Sequence, residues 1–335
     1  MGGYAVHNFC TLFDSHYLSR GLAMYESLKK YCSSFHLYIF SFDDDSYNYL
    51  VSQSFEYVTV ISLSELENPS LLAVKPGRSR AEYCWTCTPQ VLKYSLEKFS
   101  IERCTYLDAD LYFYSDPGVL INEMGDKSVL ITEHRYSPRY DQSAISGIYC
   151  VQFMTFRNDS LGLHVLNWWV DACLEWCFAR CEDGRFGDQK YLDDWLHRFS
   201  GVHSLEHVGG GVAPWNVQQY DFLMTPEQKI VACKRATQQQ VLLIFYHFHG
   251  FKFMGDKYVE LGCYEMTAKV KRLIYKPYLK HLLEIESAIS NDVRGAGRIN
   301  SVTPFHPSLV WGLRLLKRKL VGHMNFHSLN KILSL

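Results

Sequence analysis

The chain opens with an apolar run, "YAVHNFCTLF" (4–13), that reads as a buried strand, and continues into "SHYLSRGLAMYESLKKY" (15–31), where apolar positions recur at helical spacing. Ser15 is a candidate cap, and Lys29 and Lys30 suit the negative end of that helix. A strand over 35–42, a short helix over 43–52 and a third strand over 57–63 repeat the alternation. The pattern then predicts a helix over about 81–99, bent or entered at Pro89, that delivers the chain into the strand "CTYLD" (104–108). Strands follow over 128–132 and 147–156, then a helix over 160–181, another over 188–199, a late strand "LLIFYHFHGF" (242–251), and helix again over 264–290. Strands and helices alternating at these lengths predict an α/β fold with a mainly parallel sheet covered on both faces, whose ligands bind beyond the carboxyl ends of the strands.

Composition narrows the classes. A chain of 335 residues without a Pro/Gly/Ser linker fits one large domain or two that share an interface. A net charge of -1 provides no basic field for a polyanion, so nucleic acid is not expected as a partner. No run approaches the roughly 18–20 apolar residues that cross a bilayer. The 11 cysteines are odd in number and irregular in spacing, and no signal peptide opens the chain, which together predict a reducing, cytoplasmic setting. Cys84 and Cys87 of "CWTC", and Cys173, Cys177 and Cys181 along one face of the predicted 160–181 helix, read as core thiols in place of a redox pair or a zinc site. From about Asp292 the texture changes. "LVWGLRLLKRKLVGHMNF" combines an apolar stripe with Arg314, Lys317, Arg318 and Lys319, a helix that either lies in a membrane interface or packs on the domain.

The chemistry concentrates in "CTYLDADLYFY" (104–114), where Asp108 and Asp110 close a buried strand. Two crowded carboxylates require a cation, a shared proton or water. One reading is a phosphatase-like hydrolase with Asp108 as nucleophile, Asp110 as general acid and "GDQKYLDD" (187–194) holding magnesium. Against it stand Leu111, the position after three βα-like units, and the helical spacing around Asp193 and Asp194. The other reading takes in more of the chain. "NFCTLFDSHYLSRGLAMYESL", "YLDADLYFYSDP", "GIYCVQFMTFRN", "GDQKYL", "GGGVAPWNV" and "HFHGFK" resemble, in their order and spacing over residues 4–255, glycosyltransferases of the GT-A fold, closest to family 8 and related bacterial enzymes of surface-polysaccharide assembly. A non-catalytic carbohydrate- or nucleotide-binding protein on the same fold is the third reading.

The resemblance implies a GT-A domain over 1–290, with a Rossmann-like nucleotide-sugar half (about 1–115) merged with a mixed donor/acceptor half (about 116–290), and a basic amphipathic tail over 291–335. It implies that Asp108, Asp110 and His247 ligate Mn2+ or Mg2+, with His249 in reserve. Asp108 and Gly250 would also border the donor diphosphate, and so would Lys252, which comes one residue before the family's lysine position, occupied here by Phe253. Thr11, Phe13, Asp14 and Tyr17 match positions around the base and ribose, and Arg78 or Arg80 would neutralise the diphosphate or donor sugar. Asp188 would bind donor hydroxyls and Gln189 would face the anomeric carbon. An amide is a poor nucleophile, so front-side retention follows if that placement holds; in an inverting enzyme Asp188 would be the first candidate for the general base. Where relatives often carry Asn, this chain has Cys150. The "GGGVAPWNV" loop would meet the acceptor through Trp215 and Asn216. The implied reaction joins a sugar from a nucleotide-sugar, a UDP-sugar, to a glycan or lipid-linked glycan at the inner face of a bacterial-type membrane.

Overall fold

The computed structural model describes residues 6–292, 302–303, 309–320 and 325–335. Its centre is a seven-stranded sheet in the order β3-β2-β1-β4-β7-β6-β8, formed by β1 (His7–Phe13), β2 (Phe35–Ser41), β3 (Val58–Ser62), β4 (Arg103–Leu107), β6 (Val129–Glu133), β7 (Tyr149–Arg157) and β8 (Val202–Ser204). Every pairing is parallel except those of β7, which runs antiparallel between β4 and β6. The carboxyl ends of β1, β4 and β6 therefore meet the beginning of β7 along one edge.

The apolar runs are buried on both faces because the sheet separates two cores. Phe9 and Phe13 of β1 pack with the helix Leu18–Tyr31, and Cys10 enters the core shared with the helix Arg80–Lys98. A Cβ on Gly21 would stand 2.4 Å from the Phe13 ring, so this glycine lets helix and strand approach. The helix Arg80–Lys98 starts at a capping box between Ser79 and Glu82. Pro89 lies inside that helix, not at its entry.

Three expected elements are altered. The helix predicted over 160–181 stops at Glu175, where Trp176 turns to extended backbone and Arg180 and Arg185 stack on its ring. Cys177 and Cys181 thereby both lie beyond the helix and do not share a helix face with Cys173; Cys177 still reaches the core, while Cys181 is exposed. The helix predicted over 188–199 is a 3-10 segment, Lys190–Asp194, followed by one turn, Trp195–Arg198. The predicted 242–251 strand is divided: β11 (Gln240–Leu242) joins β9 (Tyr220–Met224) and β10 (Ile230–Lys234), and β12 (Phe245–His247) pairs antiparallel with β5 (Leu111–Phe113). Beyond it, β13 (Phe251–Met254) and β14 (Tyr258–Leu261) form a hairpin, and the helix Lys276–Asp292 closes the core with Tyr278, Leu282 and Ile285.

In the tail, residues 293–301, 304–308 and 321–324 lie outside the described residues, and with them most of the expected loop. The helix Leu309–Leu320 is described, as are β15 (Val302–Thr303), which pairs with β13, and β16 (Phe326–Ser328), which pairs with β14. The closing turn Leu329–Leu333 buries Leu329 and Ile332 in the main core. No described helix is long and apolar enough to cross a membrane.

Gly209 tests this packing. A Cβ there would lie 2.0 Å from the Leu242 carbonyl oxygen, a main-chain atom that cannot swing aside. Gly209→Ala is expected to destabilise the protein by about 2–4 kcal/mol. Gly77→Ala, with nothing within 4 Å of the added carbon, should stay within about 0.5 kcal/mol of the parent in the same urea titration.

Candidate functional site

Asp108 follows β4 directly and Asp110 precedes β5, so one turn, closed by Leu111 N–H donating to the Asp108 carbonyl at 3.2 Å, carries both carboxylates. The antiparallel pairing of β5 with β12 sets His247 opposite Leu111, and Phe248 N–H donates to the Asp110 carbonyl at 2.9 Å. His247 Nε2 consequently stands 3.0 Å from Asp110 Oδ1 and 3.7 Å from Asp108 Oδ2. One ligand atom from each of the three residues falls within 4.8 Å of the others, and His249 is not among them. Two carboxylate oxygens and an imidazole nitrogen are a donor set suited to manganese or magnesium. The three residues therefore fit the cation that the resemblance implied for them.

The charges are unequal. Burial, opposed by His247 and reinforced by Asp110, lifts the Asp108 carboxyl to about 6. Burial works against an ionised Asp110 too, but His247 outweighs it and holds that carboxyl at about 2. His247 is itself held well above the ordinary histidine range by Asp110, against the effect of burial. Its ring meets the Trp215 ring edge-on at 5.3 Å, and Trp215 meets His249 at 5.4 Å. Burial first, and then repulsion from His247, lowers His249 to about 4 and His134 to about 3.

The remaining expected residues fall into several groups. Asp188 is buried, and burial followed by the field of Asp108 raises its carboxyl to about 7. Gln189, half-buried, follows it at the start of the 3-10 segment. Tyr17 stays 44% exposed as a residue. Its hydroxyl end is pushed up to about 12 by burial and then by Asp110, and Arg20 lies 4.8 Å over its ring. Asp14 caps the first turn after β1 and pairs with Arg80 Nε at 2.6 Å, while Arg80 Nη2 reaches Asp43 at 3.0 Å. Arg78 instead stacks on Phe178 at 3.8 Å and donates to the Leu174 carbonyl. Thr11 and Phe13 are buried, Phe13 as the ring against Gly21. Gly250 has φ +74, a conformation that asks for glycine. Lys252 is exposed on β13 and Phe253 is in the core, so the alternation of the strand points the lysine outward one residue before the family's position.

Trp215 and Asn216 are occupied internally. Trp215 Nε1–H donates to the His134 carbonyl, and the Asn216 amide donates to the His134 and Gly211 carbonyls while accepting from Ala213 N–H. In this structure they hold the loop in place and leave no free hydrogen-bonding group for an acceptor sugar. Asp193 is bound by Lys190 and Ile148 N–H and Asp194 by Arg198, so of the later segment of the hydrolase reading Asp188 lies in the field of Asp108, while Asp193 and Asp194 are engaged elsewhere. Two residues at the edge escaped the sequence reading. Asp43 accepts from Ser15, Ser46 and Arg80, whereas the sequence placed it only at the start of the short 43–52 helix. Gln152 stands in the middle of the fully buried "YCVQFMTF" run; a polar amide there was the available signal, since it must find a partner.

No protein-family model matches the chain. It is 32% identical over 302 residues to the uncharacterized protein YfnD of Bacillus subtilis (strain 168), covering 86% of this chain and 94% of that one. It is 28% identical over 298 residues to YfnF of the same organism, covering 86% and 96%. Among solved structures it is similar to the galactosyltransferase LgtC in complex with donor and acceptor sugar analogues, with a TM-score of 0.50, 13% identity, and coverage of 72% of this chain and 87% of LgtC. It is also similar to the bifunctional glycosyltransferase WbbM, with a TM-score of 0.51, 12% identity, and coverage of 85% of this chain and 52% of WbbM. The sequence places the chain in one family with Bacillus subtilis YfnD, and the sheet order, the strand-end aspartates and these structural likenesses place that family on the GT-A fold of glycosyltransferases.

Proposed function

We propose that the protein is a metal-dependent glycosyltransferase that moves a sugar from a nucleotide-sugar, a UDP-sugar, to a glycan or lipid-linked glycan acceptor, in the assembly of a bacterial-type surface polysaccharide. The observation that carries the reading is the convergence of Asp108, Asp110 and His247 at the carboxyl edge of a GT-A sheet. These three side chains would hold Mn2+ or Mg2+, which when bound supplies Lewis-acid compensation for the charge of the departing diphosphate. Lys252, exposed beside His249, adds a cation on the same side, and Gly250 leaves its backbone clear for phosphate oxygens. Tyr17 offers an open ring and Asp14 an acceptor for the base and ribose, next to the Arg80 guanidinium. A neutral Asp188 donates a hydrogen bond to a donor-sugar hydroxyl, and Gln189 lies at the anomeric face. With no carboxylate nucleophile assigned there, front-side departure and attack with retention is the mechanism this arrangement supports.

The tail adds a location. Leu313, Leu316 and Leu320 are 66%, 54% and 79% exposed along one stripe of the helix Leu309–Leu320, beside exposed Lys317, while Arg318 pairs with Glu260. An apolar stripe with basic neighbours supports peripheral contact with an anionic membrane surface.

Separate measurements test the metal, Asp188 and the tail. UDP with Mn2+ should raise the melting temperature, and chelator should remove the gain. Asp110→Ala should weaken Mn2+-dependent UDP binding by about 100-fold, and stabilisation that survives this substitution would sink the metal role; turnover of acetyl phosphate or sugar phosphates in place of transfer would favour a hydrolase. For Asp188, a folded-state carboxyl raised from 3.8 to about 7 leaves stability intact below about pH 4 and loses it progressively as pH rises to about 7. Asp188→Asn should therefore be more stable than the parent at pH 8, by on the order of 2–4 kcal/mol, with the difference vanishing near pH 4 in parallel denaturation curves. Transfer activity should fall at every pH. Replacing Leu313, Leu316 and Leu320 with Ser should abolish co-sedimentation with phosphatidylglycerol vesicles and leave melting temperature unchanged; undiminished co-sedimentation overturns the membrane assignment.

A further inference from the structure

Gln152 is 0% exposed in the antiparallel strand β7, flanked by Val151 and Phe153. It touches both halves of the proposed cation site. Its main-chain carbonyl accepts the Asp108 N–H at 3.0 Å, and its side-chain Oε1 stands 2.8 Å from His247 Nδ1. An amide oxygen can only accept, so Nδ1 must carry the proton in that bond. The ring is then held with Nε2 toward Asp110 and Asp108. A second support comes from the main chain, where His247 N–H donates to the Val212 carbonyl at 2.9 Å.

The surroundings are shaped around this amide. Gly211, at φ +87, has no Cβ; one placed there would lie 2.9 Å from Thr132 Cγ2 and 3.3 Å from Gln152 Nε2. The glycine loop therefore closes over the amide without displacing it. Gln152 Nε2 finds no hydrogen-bond partner among the described residues, and an unpaired buried donor costs stability. The productive half of this amide is its oxygen, and that oxygen is spent on His247.

We propose that Gln152 is a positioning residue: its side-chain oxygen fixes His247 with Nε2 presented to the cation, and its backbone carbonyl fixes Asp108 in the same frame. The inference rests on the metal-site reading, and it separates two properties of the side chain. Only the acceptor matters, so glutamate should replace glutamine while an apolar residue of similar size should not. Metal-ligating imidazoles are oriented by the group on their other nitrogen, and loss of that group weakens affinity by about 10–100-fold.

The test compares the parent with Gln152→Leu and Gln152→Glu, each first shown to unfold cooperatively. Mn2+ titration by calorimetry in the presence of UDP should show at least about a 10-fold loss of affinity in Gln152→Leu and a value within about threefold of the parent in Gln152→Glu. Unchanged affinity in Gln152→Leu, or a loss in Gln152→Glu as large as in Gln152→Leu, overturns the proposal. Should Gln152→Leu fail to fold, Gln152→Glu decides alone: affinity retained upholds the proposal, and a 10-fold loss ends it. An independent readout uses the metal-free protein. A downfield, exchange-protected His247 Nδ1–H resonance, assigned by its absence in His247→Ala, should be present in the parent and in Gln152→Glu and lost in Gln152→Leu. If the parent binds no Mn2+, the metal reading fails, and this resonance still decides whether Gln152 orients the ring: persistence in Gln152→Leu rules that out.

Discussion

Repulsion between Asp108 and Asp110 is the constraint on which this edge of the molecule depends. Two carboxylates on one short turn, both largely removed from water, cannot remain ionised together without an opposing charge. That charge comes from His247, well over a hundred residues later in the chain. Its delivery explains features of the fold that have no other evident role in the site: β5 begins at once after Asp110, β12 pairs with it over three residues, and the Asp110 carbonyl receives the N–H of Phe248. The first half of the protein supplies the carboxylates and the second half supplies the imidazole, so docking of one on the other and neutralisation of the site are one event.

The same limit on charge orders the neighbours. Three histidines, His134, His247 and His249, meet the Trp215 ring, and only His247 has a carboxylate at hydrogen-bonding distance. The other two are driven toward the neutral form by burial and by the charge on His247. Asp188 obeys the rule with the opposite sign, since burial and Asp108 favour its protonated form. His134, His247, His249 and Asp188 are thus each either matched or discharged. A cation held by Asp108 and Asp110, as proposed, would take over the task of the His247 proton.

Much of this was legible in the residues. The apolar runs of β1, β2 and β4 and the paired aspartates each state a local preference that the tertiary structure keeps. The illegible parts depend on distant contacts. The helix after Ser160 ends where two arginines stack on Trp176, and periodicity continued past that point because Cys177 and Cys181 keep the spacing of four. The β9-β10-β11 sheet is short and half-exposed, so neither alternation nor a continuous apolar run marks it. Trp215 and Asn216 sit among glycines and read as a loop free to meet a ligand, yet both are claimed by carbonyls that follow β6 and lie within their own loop.

The two ends of the carboxyl edge differ in stiffness. At β4 and β12 main-chain hydrogen bonds hold the backbone of Asp108, Asp110 and His247, so their relative placement is set before any ligand arrives. At β1 and β2 the charges are Asp14, Asp43 and a half-exposed Arg80 that bridges them. The two carboxylates are held by Ser15, Ser46 and His16, but the guanidinium lies open to water, where an ion pair is worth little, so turning Arg80 from them to a ligand's phosphate costs correspondingly little. On the proposed reading, the diphosphate of a nucleotide-sugar along this edge would meet a preformed site and its nucleoside a site where Arg80 can turn. Geometric demand would then fall on the bond that breaks, and adaptability on the part of the donor that only needs to be held.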